Sequence, residues 1–348
     1  MLRLASSVRR RRFLYSFIPC LASATAIAAQ VPSNPASTNK IEPDIVVTGH
    51  RANADEDLSD VRSIAIVGNE PMGRFEAEVC PRVIGLPADY ASVVETRIRQ
   101  VAEAVGPRVA NGGCEPNLTV IVAEDGAAAL ASLRKKRPLL FAAMTNAEVL
   151  RLRRSRGPVW NWYSVDQKRS DGGSVEHVTM VSFDGAPPQP ISPHAYIASN
   201  VSMSRLTTPV RLDITLAFII LEKRYLEGLT LAQVADFSAM LGLSMINYER
   251  VASLKRPSIL QIFSQGRADV ATTFDLAFLK GLYSNEAGLP STRRTARIAG
   301  SLTSTAASPQ FTDLQDAASG SLVGLVGDQA PSGGKTDSRS GRPREMFR

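Results

Sequence analysis

The chain has 348 residues, with 40 Lys and Arg against 33 Asp and Glu, and a formal net charge of +7 at pH 7. Five of these charges are arginines within residues 1–28, a segment without acidic residues, so residues 29–348 carry a net charge of only +2. A net charge of only +2 argues against long-range electrostatic attraction of the whole molecule to nucleic acid. Three histidines in the entire chain also disfavour a histidine-rich metal site.

The N-terminal residues have the pattern of an export signal. Arginines at 9–12 precede an apolar run at 15–27, and Ala26 and Ala28 form the A-x-A pattern of a cleavage site. A twin-arginine pattern, R-R-x-F-L, is formed by Arg10, Arg11, Phe13 and Leu14. The apolar run is shorter than the roughly 20 residues of a membrane span. We therefore expect a signal peptide over residues 1–28 of twin-arginine type, with general secretion as the alternative. The expected product is a soluble periplasmic or secreted protein with no stable membrane span after cleavage.

Composition divides the remaining chain into three parts. Residues 29–60 are rich in Pro, Ser, Ala and Asn and then become acidic, which is typical of a flexible linker. From residue 305 the chain is dominated by small and polar residues with few aromatics, which predicts a disordered tail over 305–348. Residues 61–304 are expected to form a single domain.

Strands and helices are both predicted within this domain. Strands are predicted at residues 63–67, 78–86, 118–123, 159–165, 175–183 and 216–221. Helices are predicted after Pro87, over 126–133, after the capping box Thr145-x-x-Glu148, over 231–241 behind Thr230, and over 274–283. The helix after Pro87 has Val94, Ile98, Val101 and Val105 on one face. This mixture predicts an α+β fold with a mixed, mostly antiparallel sheet packed against helices.

Cys80 and Cys114 are the two cysteines outside the predicted signal. In an oxidising compartment, an isolated pair of this kind is expected to form a disulfide. The bridge would close a loop of about 35 residues and stabilise the fold by roughly 3–4 kcal/mol. Two buried thiols are the alternative, and a metal site is disfavoured because no histidine lies near either cysteine.

Catalytic motifs are absent from the sequence. It contains no G-x-S-x-G, no P-loop and no G-x-G-x-x-G. His50, His177 and His194 lie in the linker, a predicted strand and a Pro-rich loop, and no two have metal-ligand spacing. We expect no cofactor and no metal. A hydrolase is the alternative, and its site would have to be assembled from scattered residues such as Asp236, Ser238, Asp275 and His177.

The element order over residues 87–243 resembles zincin-type metallopeptidase domains. In zincins the helix after the edge strands carries H-E-x-x-H, commonly followed by a Leu-Gly pair. Alignment on the Leu-Gly pair at 241–242 places Ala235 and Ala239 at the zinc-ligand positions and Asp236 at the catalytic glutamate. Alanine has no lone pair for a metal, and aspartate is one methylene shorter than glutamate. The resemblance therefore implies a zincin-like relative without metal or catalysis.

A second resemblance covers the following residues. Ser258-Ile259-Leu260, Phe274-Asp275 and Leu282-Tyr283 are similar to exported bacterial domains of unknown function that share the S-I-L, F-D and L-Y motifs. Together the two resemblances imply a binding or scaffolding protein of the cell envelope. An unrelated α+β domain with an ordinary amphipathic helix at 231–241 is the alternative.

Two basic clusters, at 134–137 and 151–156, precede Trp160, Trp162 and Tyr163. Both clusters fall at predicted helix C-termini, where cations interact favourably with the helix dipole. The aromatic residues alternate along a predicted strand, so we expect them to face the core. A polyanion- or envelope-binding surface around residues 151–156 is the alternative. The expected partner is an unknown protein or envelope component, and not nucleic acid.

Overall fold

The computed structural model describes residues 54–66, 71–177, 180–181, 187, 189–190, 196–197, 208–264, 268–284, 286–306 and 309–319. All of them belong to one compact unit, residues 51–348. The predicted signal peptide with its cleavage site, and residues 29–53 of the predicted linker, lie outside the described residues.

The main sheet has four strands in the order β1–β2–β8–β3. They are β1 (Pro81–Ile84), β2 (Leu118–Ala123), β3 (Val159–Arg169) and β8 (Val210–Glu222). Two short pairs lie between β3 and β8 in the chain: β4 (Glu176–His177) with β7 (Tyr196–Ile197), and β5 (Met180–Val181) with β6 (Gln189–Pro190). The predicted α+β class with a mixed sheet is confirmed. In the main sheet, however, β1–β2 and β2–β8 are parallel, and β3–β8 is the antiparallel pairing.

Eight α-helices surround the sheet within the described residues. They are α1 (Ala54–Ile64), α2 (Ala88–Val105), α3 (Gly126–Lys136), α4 (Asn146–Arg154), α5 (Leu231–Gly242), α6 (Thr273–Ser284), α7 (Ser291–Ala306) and α8 (Pro309–Ser319). The Thr145–Glu148 capping box opens α4 as predicted, and a second box, Thr230–Gln233, opens α5. No helix in the described part of the chain is long and apolar enough to cross a lipid bilayer.

Strand β8 separates two hydrophobic cores. Ala217, Ile219 and Leu221 belong to the larger core, which also contains side chains of α1, α2, α5, α6 and α7. Phe218 and Ile220 face the opposite side and pack with side chains of α3 and α4. Because successive side chains of a strand point to opposite faces, this alternation places helices on both faces of the sheet.

Helix α1 corrects two predictions, a strand at 63–67 and a linker reaching residue 60. Its Val61 and Ile64 are fully buried in the larger core, at the i, i+3 spacing of one helix face. Asp57 and Asp60 on the same helix are buried and form ion pairs with Arg256. These long-range contacts hold an otherwise polar segment in a helix.

Two further helices follow the last one that the sequence predicted. Helix α7 packs on α6, and α8 lies within the predicted disordered tail. In α8, Phe311 and Leu314 are buried in the larger core, so their burial corrects the tail prediction for residues 309–319. Residues 320–348 of that tail lie outside the described part of the chain.

The predicted disulfide between Cys80 and Cys114 is confirmed, with a Cα–Cα distance of 6.1 Å. The backbone N–H of Cys80 donates to the side-chain oxygen of Asn117 at 2.8 Å, and the Asn117 side-chain amide donates to the Glu78 carbonyl at 2.8 Å. The bridge and these hydrogen bonds join the start of β1 to the loop that leads into β2.

Candidate functional site

Helix α5, which carries the positions aligned with the zincin motif, is buried over its whole length. Ala235 and Ala239 have no solvent exposure and present only methyl groups to the core, so the residues at these positions do not fit a zinc ion. Within the described part of the chain, no three His, Cys, Asp or Glu residues are placed to hold a metal ion.

The Leu-Gly pair on which the alignment rests has a packing explanation. A Cβ atom at Gly242 would lie 2.6 Å from Cδ1 of Leu118 on β2, closer than carbon atoms approach without displacement. Glycine therefore allows the end of α5 to pack directly on the sheet. The pair has a structural role whether or not the chain is related to zincins.

Tyr163 on edge strand β3 connects that strand to the end of α5. Its hydroxyl donates toward the carbonyl oxygens of Leu241, at 2.7 Å, and Ser244, at 3.0 Å. It also accepts a hydrogen bond of 3.0 Å from the side-chain amide of Asn161. Burial raises the pKa of Tyr163 far above its ordinary value, so the hydroxyl keeps its proton and remains a donor. The edge strand and α5 are thus held together at the C-terminal end of the helix.

Asp236, at the position of the catalytic glutamate, is fully engaged in structural contacts. Its two carboxylate oxygens accept hydrogen bonds from Arg97 at 2.7 and 3.0 Å, and one also accepts from the Ala271 N–H at 2.7 Å. Arg97 donates further to the carbonyl of Leu314 on α8 at 2.7 Å. The exposed fractions of the Arg97 and Asp236 side chains are 7% and 0%. This ion pair joins α2, α5 and α8 and leaves no carboxylate oxygen accessible to a substrate.

Asp275 explains two of the short motifs that resemble exported domains. Its carboxylate accepts hydrogen bonds from the Ser258 hydroxyl at 2.5 Å, from the Ile259 N–H at 2.8 Å, and from the N–H and hydroxyl of Thr272 at 2.8 Å. Burial raises the pKa of Asp275, and these hydrogen bonds oppose the increase. The F-D and S-I-L segments therefore meet through one buried carboxyl group that caps the start of α6.

The other two residues of the hydrolase alternative are Ser238 and His177. Ser238 is buried and donates to the carbonyl of Val234 on its own helix at 2.7 Å. His177 lies in β4, but its side chain is outside the described part of the structure. His50 and His194 also lie outside the described residues.

A cavity of about 490 Å³ lies along the outer edge of β3, and we call it the β3 groove. Its apolar walls include three methionines from distant parts of the chain, Met72, Met144 and Met245. Charged side chains at the groove are Glu148, Arg151 and Glu249. The other lining residues are Ile66, Pro71, Gly73, Ala143, Leu152, Ser155, Val159, Trp160, Asn161, Trp162, Tyr163, Val165, Leu212, Ile246, Asn247 and Tyr248.

The backbone of β3 offers hydrogen-bonding groups to this groove. The N–H of Glu222 on β8 donates to the carbonyl of Pro158, so even-numbered residues of this part of β3 bond to β8. The odd-numbered residues Val159, Asn161 and Tyr163 consequently direct their N–H and C=O groups away from the sheet. Among the described residues, these outward groups have no backbone partner. The groove therefore combines a free strand edge with apolar walls.

Tyr248, which also lines the groove, remains uncharged. Burial raises its pKa to about 12. Among the described residues that line the groove, the charged ones are Glu148, Arg151 and Glu249, of which Arg151 and Glu249 are exposed. A second recess of about 380 Å³ adjoins the groove and shares Arg151, Ser155 and Glu249 with it.

The basic clusters and the aromatic residues occupy separate places. Both clusters lie in the last turns of α3 and α4, as predicted. Trp160 and Trp162 are buried, and Trp162 stacks between Phe141 and Phe218 with ring centroids 5.0 Å apart on each side. These two aromatic residues therefore face the core, as predicted.

No family model, curated protein or solved structure matches this chain. The fold defines it as an α+β protein with a mixed four-stranded sheet between helical layers. Sequence reasoning missed the β3 groove, because its walls come from segments that have no shared local pattern.

Proposed function

We propose that this chain is an exported, non-catalytic protein that binds an extended peptide segment in the β3 groove. The observation that carries the proposal is the free edge of β3, where outward backbone groups of Asn161 and Tyr163 lie beside apolar walls. An extended peptide would add a strand to this edge through backbone hydrogen bonds. Alternate side chains of the peptide would point into the groove.

The walls of the groove support binding of apolar side chains. Met72, Met144 and Met245 are unbranched and polarisable, which lets such side chains adapt to ligands of different shape. Arg151 and Glu249 at the exposed end would interact with polar or charged positions of the peptide. The expected ligand is therefore an extended segment with apolar side chains at alternate positions.

A relation to zincins supports the absence of catalysis in this proposal. An antiparallel edge strand, β3, is followed by β8 and then by α5, whose C-terminal end contacts β3 through Tyr163. The position aligned with the catalytic glutamate is Asp236, which is neutralised by Arg97, and the two ligand positions are Ala235 and Ala239. We therefore propose a zincin-like scaffold that has kept a peptide-binding edge without its metal chemistry.

A proline substitution tests the free edge directly. Asn161→Pro removes one outward N–H while leaving the hydrogen bonds between β3 and β8 in place. Asn161→Ala is the matched control, because it loses the same side-chain contact with Tyr163 and keeps the N–H. Twelve-residue peptides selected from a random phage-displayed library on the wild-type protein should bind Asn161→Ala. They should bind Asn161→Pro at least ten-fold more weakly. Equal binding to both variants, or failure to select any peptide, would contradict the proposal.

The hydrolase alternative predicts a different outcome for the purified protein. Metal analysis would be combined with a broad peptidase and esterase screen. We expect neither a stoichiometric metal nor turnover. A bound metal that is lost together with activity on chelation would overturn the non-catalytic assignment.

The proposed export route rests on the N-terminal arginine pair and is supported by the Cys80–Cys114 disulfide, which suits an oxidising compartment. Residues 1–35 fused to a reporter that is active only when exported folded should produce activity outside the cytoplasm. Arg10→Lys with Arg11→Lys should abolish that activity. If the reporter stays inactive and the double substitution changes nothing, twin-arginine export is wrong.

A further inference from the structure

Residues 134–156, which we call the basic lobe, concentrate the positive charge of the chain. They contain eight Lys and Arg residues and one acidic residue, Glu148, a net charge of +7. Since residues 29–348 carry +2 in total, the rest of that segment has a net charge of −5. The lobe comprises the last turn of α3, a short 3-10 helix (Pro138–Phe141) and α4. All three pack on the same face of the sheet through Leu133, Phe141 and Leu152.

Three arginines of α4 are exposed to solvent. Arg151, Arg153 and Arg154 form none of the ion pairs found within the described residues. Lys135 and Lys136 on α3 are exposed and likewise form none. Their number exceeds what the dipoles of two short helices require for charge compensation. These five side chains therefore present cationic groups to solvent.

The lobe also exposes a large apolar side chain on its 3-10 helix. Leu139 is 85% exposed, far more than any other large hydrophobic residue in the described part of the chain. It follows Pro138, which starts the 3-10 helix, while Phe141 anchors the same turn in the smaller core. Leu150 on α4 is 44% exposed and shares a recess with Arg151 and Arg154. Exposed leucines among cations are typical of a surface that enters a lipid interface.

We propose that the basic lobe docks on an anionic lipid bilayer, with Leu139 entering the headgroup–acyl boundary. Lys and Arg side chains would bind the anionic headgroups, and burial of Leu139 would add an apolar contribution. Nucleic acid is a poorer match, because bases stack on exposed aromatic rings and Trp160 and Trp162 are buried. The chain would thus be a peripheral membrane protein.

Vesicle binding tests the charge contribution. The probe is a vesicle of equal parts phosphatidylglycerol and phosphatidylcholine, and binding is measured by cosedimentation of the full chain. Each basic residue near an anionic surface strengthens binding by roughly five-fold. Arg153→Ala with Arg154→Ala should therefore weaken binding by about 25-fold. The matched control is Arg293→Ala with Arg297→Ala, two exposed arginines on α7, and it should change binding less than two-fold.

Leu139 tests the apolar contribution. Leu139→Ser should weaken binding by roughly ten-fold, because insertion of a leucine side chain contributes about that factor. Val93→Ser, at a residue on α2 that is 39% exposed, is the matched control and should have no effect. Leu139→Trp should show a blue shift of tryptophan fluorescence on phosphatidylglycerol vesicles and none on phosphatidylcholine vesicles.

The N-terminal arginines need their own control, because they are also cationic. The lobe variants and their matched controls keep residues 1–28 unchanged. A separate full chain with arginines 9–12 replaced by Ala measures the share of these arginines in the binding. The proposal is overturned if the Arg153/Arg154 and Arg293/Arg297 double variants lose binding equally. It is also overturned if neither lobe variant loses binding. Weaker retention of the Arg153/Arg154 variant on heparin, together with unchanged vesicle binding by Leu139→Ser, would instead identify a polyanion surface without lipid insertion.

Discussion

Replacement of Asp236 separates a structural from a catalytic role for the helix that resembles a zincin active-site helix. Asp236→Ala removes the two carboxylate oxygens that accept from the Arg97 guanidinium, one of which also accepts from the Ala271 N–H. The Arg97 side chain is 7% exposed, so water cannot replace the lost carboxylate. Arg97 keeps its hydrogen bond to the Leu314 carbonyl, but that bond does not neutralise the charge.

The expected loss is large for a single substitution. Breaking a buried ion pair by removing one partner costs about 3–5 kcal/mol of unfolding free energy. We therefore expect Asp236→Ala to lower the free energy of unfolding by about 3–5 kcal/mol. The control is Glu124→Ala, which removes the ion pair between Glu124 and Lys223. The side chains of Glu124 and Lys223 are 80% and 59% exposed. Its expected effect is at most about 1 kcal/mol.

Urea unfolding followed by circular dichroism measures both variants, with the midpoint expected to fall and the slope to stay constant. Arg97→Met with Asp236→Leu removes both charges and should recover most of the stability that Asp236→Ala loses. This double variant keeps the test informative if Asp236→Ala does not fold. A loss below about 1 kcal/mol, similar to that of Glu124→Ala, would refute the structural role. Removal of Asp236 from a buried ion pair should leave Arg97 as an uncompensated buried charge, which destabilises the fold by more than that.

Cys80→Ser with Cys114→Ser should lower the free energy of unfolding by roughly 3–4 kcal/mol, and a reductant should destabilise the wild type but not this variant. Gly242→Ala should cost about 1–3 kcal/mol in urea unfolding because of overpacking against β2, whereas Gly300→Ala, with open space around it on α7, should be neutral or stabilising by up to about 1 kcal/mol. The folded state raises the pKa of three tyrosines, so it keeps phenolic protons that the unfolded chain loses near pH 10. These tyrosines should leave the stability unchanged below pH 10, and the stability should fall as the pH rises above 10. Below about pH 12, phenolate absorbance from these residues should appear only on unfolding. These tyrosines are Tyr163, Tyr248 and Tyr283.

Elements with strong local signals were predictable from the sequence. Strand β2 has the predicted bounds 118–123, and the capping box at Thr145 opens α4 at the predicted residue. In both cases the determining interactions lie within a few residues of one another. Helix α5 was similarly predictable because Thr230 caps it and Gly242 lies at its end.

Elements stabilised by distant partners were not predictable in this way. Helix α1 has three acidic residues in its first turn. Its sequence therefore contains as few apolar residues as a flexible linker, and it was predicted as one. Its stability depends on Arg256, almost 200 residues away, and on burial of Val61 and Ile64. Helix α8 is similar, because Phe311 is a single large anchor in a segment of small and polar residues.

The candidate site also depends on contacts between residues that are distant in the sequence. The role of Asp236 depends on Arg97, which is 139 residues away in sequence. Met72, Met144 and Met245 likewise line one groove only because the fold brings three distant segments to β3. The motif at 235–242 draws attention to α5. The contacts that the Asp236 side chain makes, however, depend on α2, the helix that carries Arg97 and packs against α5.

The net charge of the chain does not show how the charge is distributed over its surface. The value of +2 for residues 29–348 argues against long-range steering of the whole molecule, and that argument remains valid. At physiological salt, however, a charge is screened beyond about 8 Å, so a membrane surface responds to the charges of the face nearest to it. A lobe with a net charge of +7 beside a segment remainder of −5 can therefore bind an anionic surface strongly while the total stays small. The same distribution predicts an orientation in which the basic lobe faces the membrane.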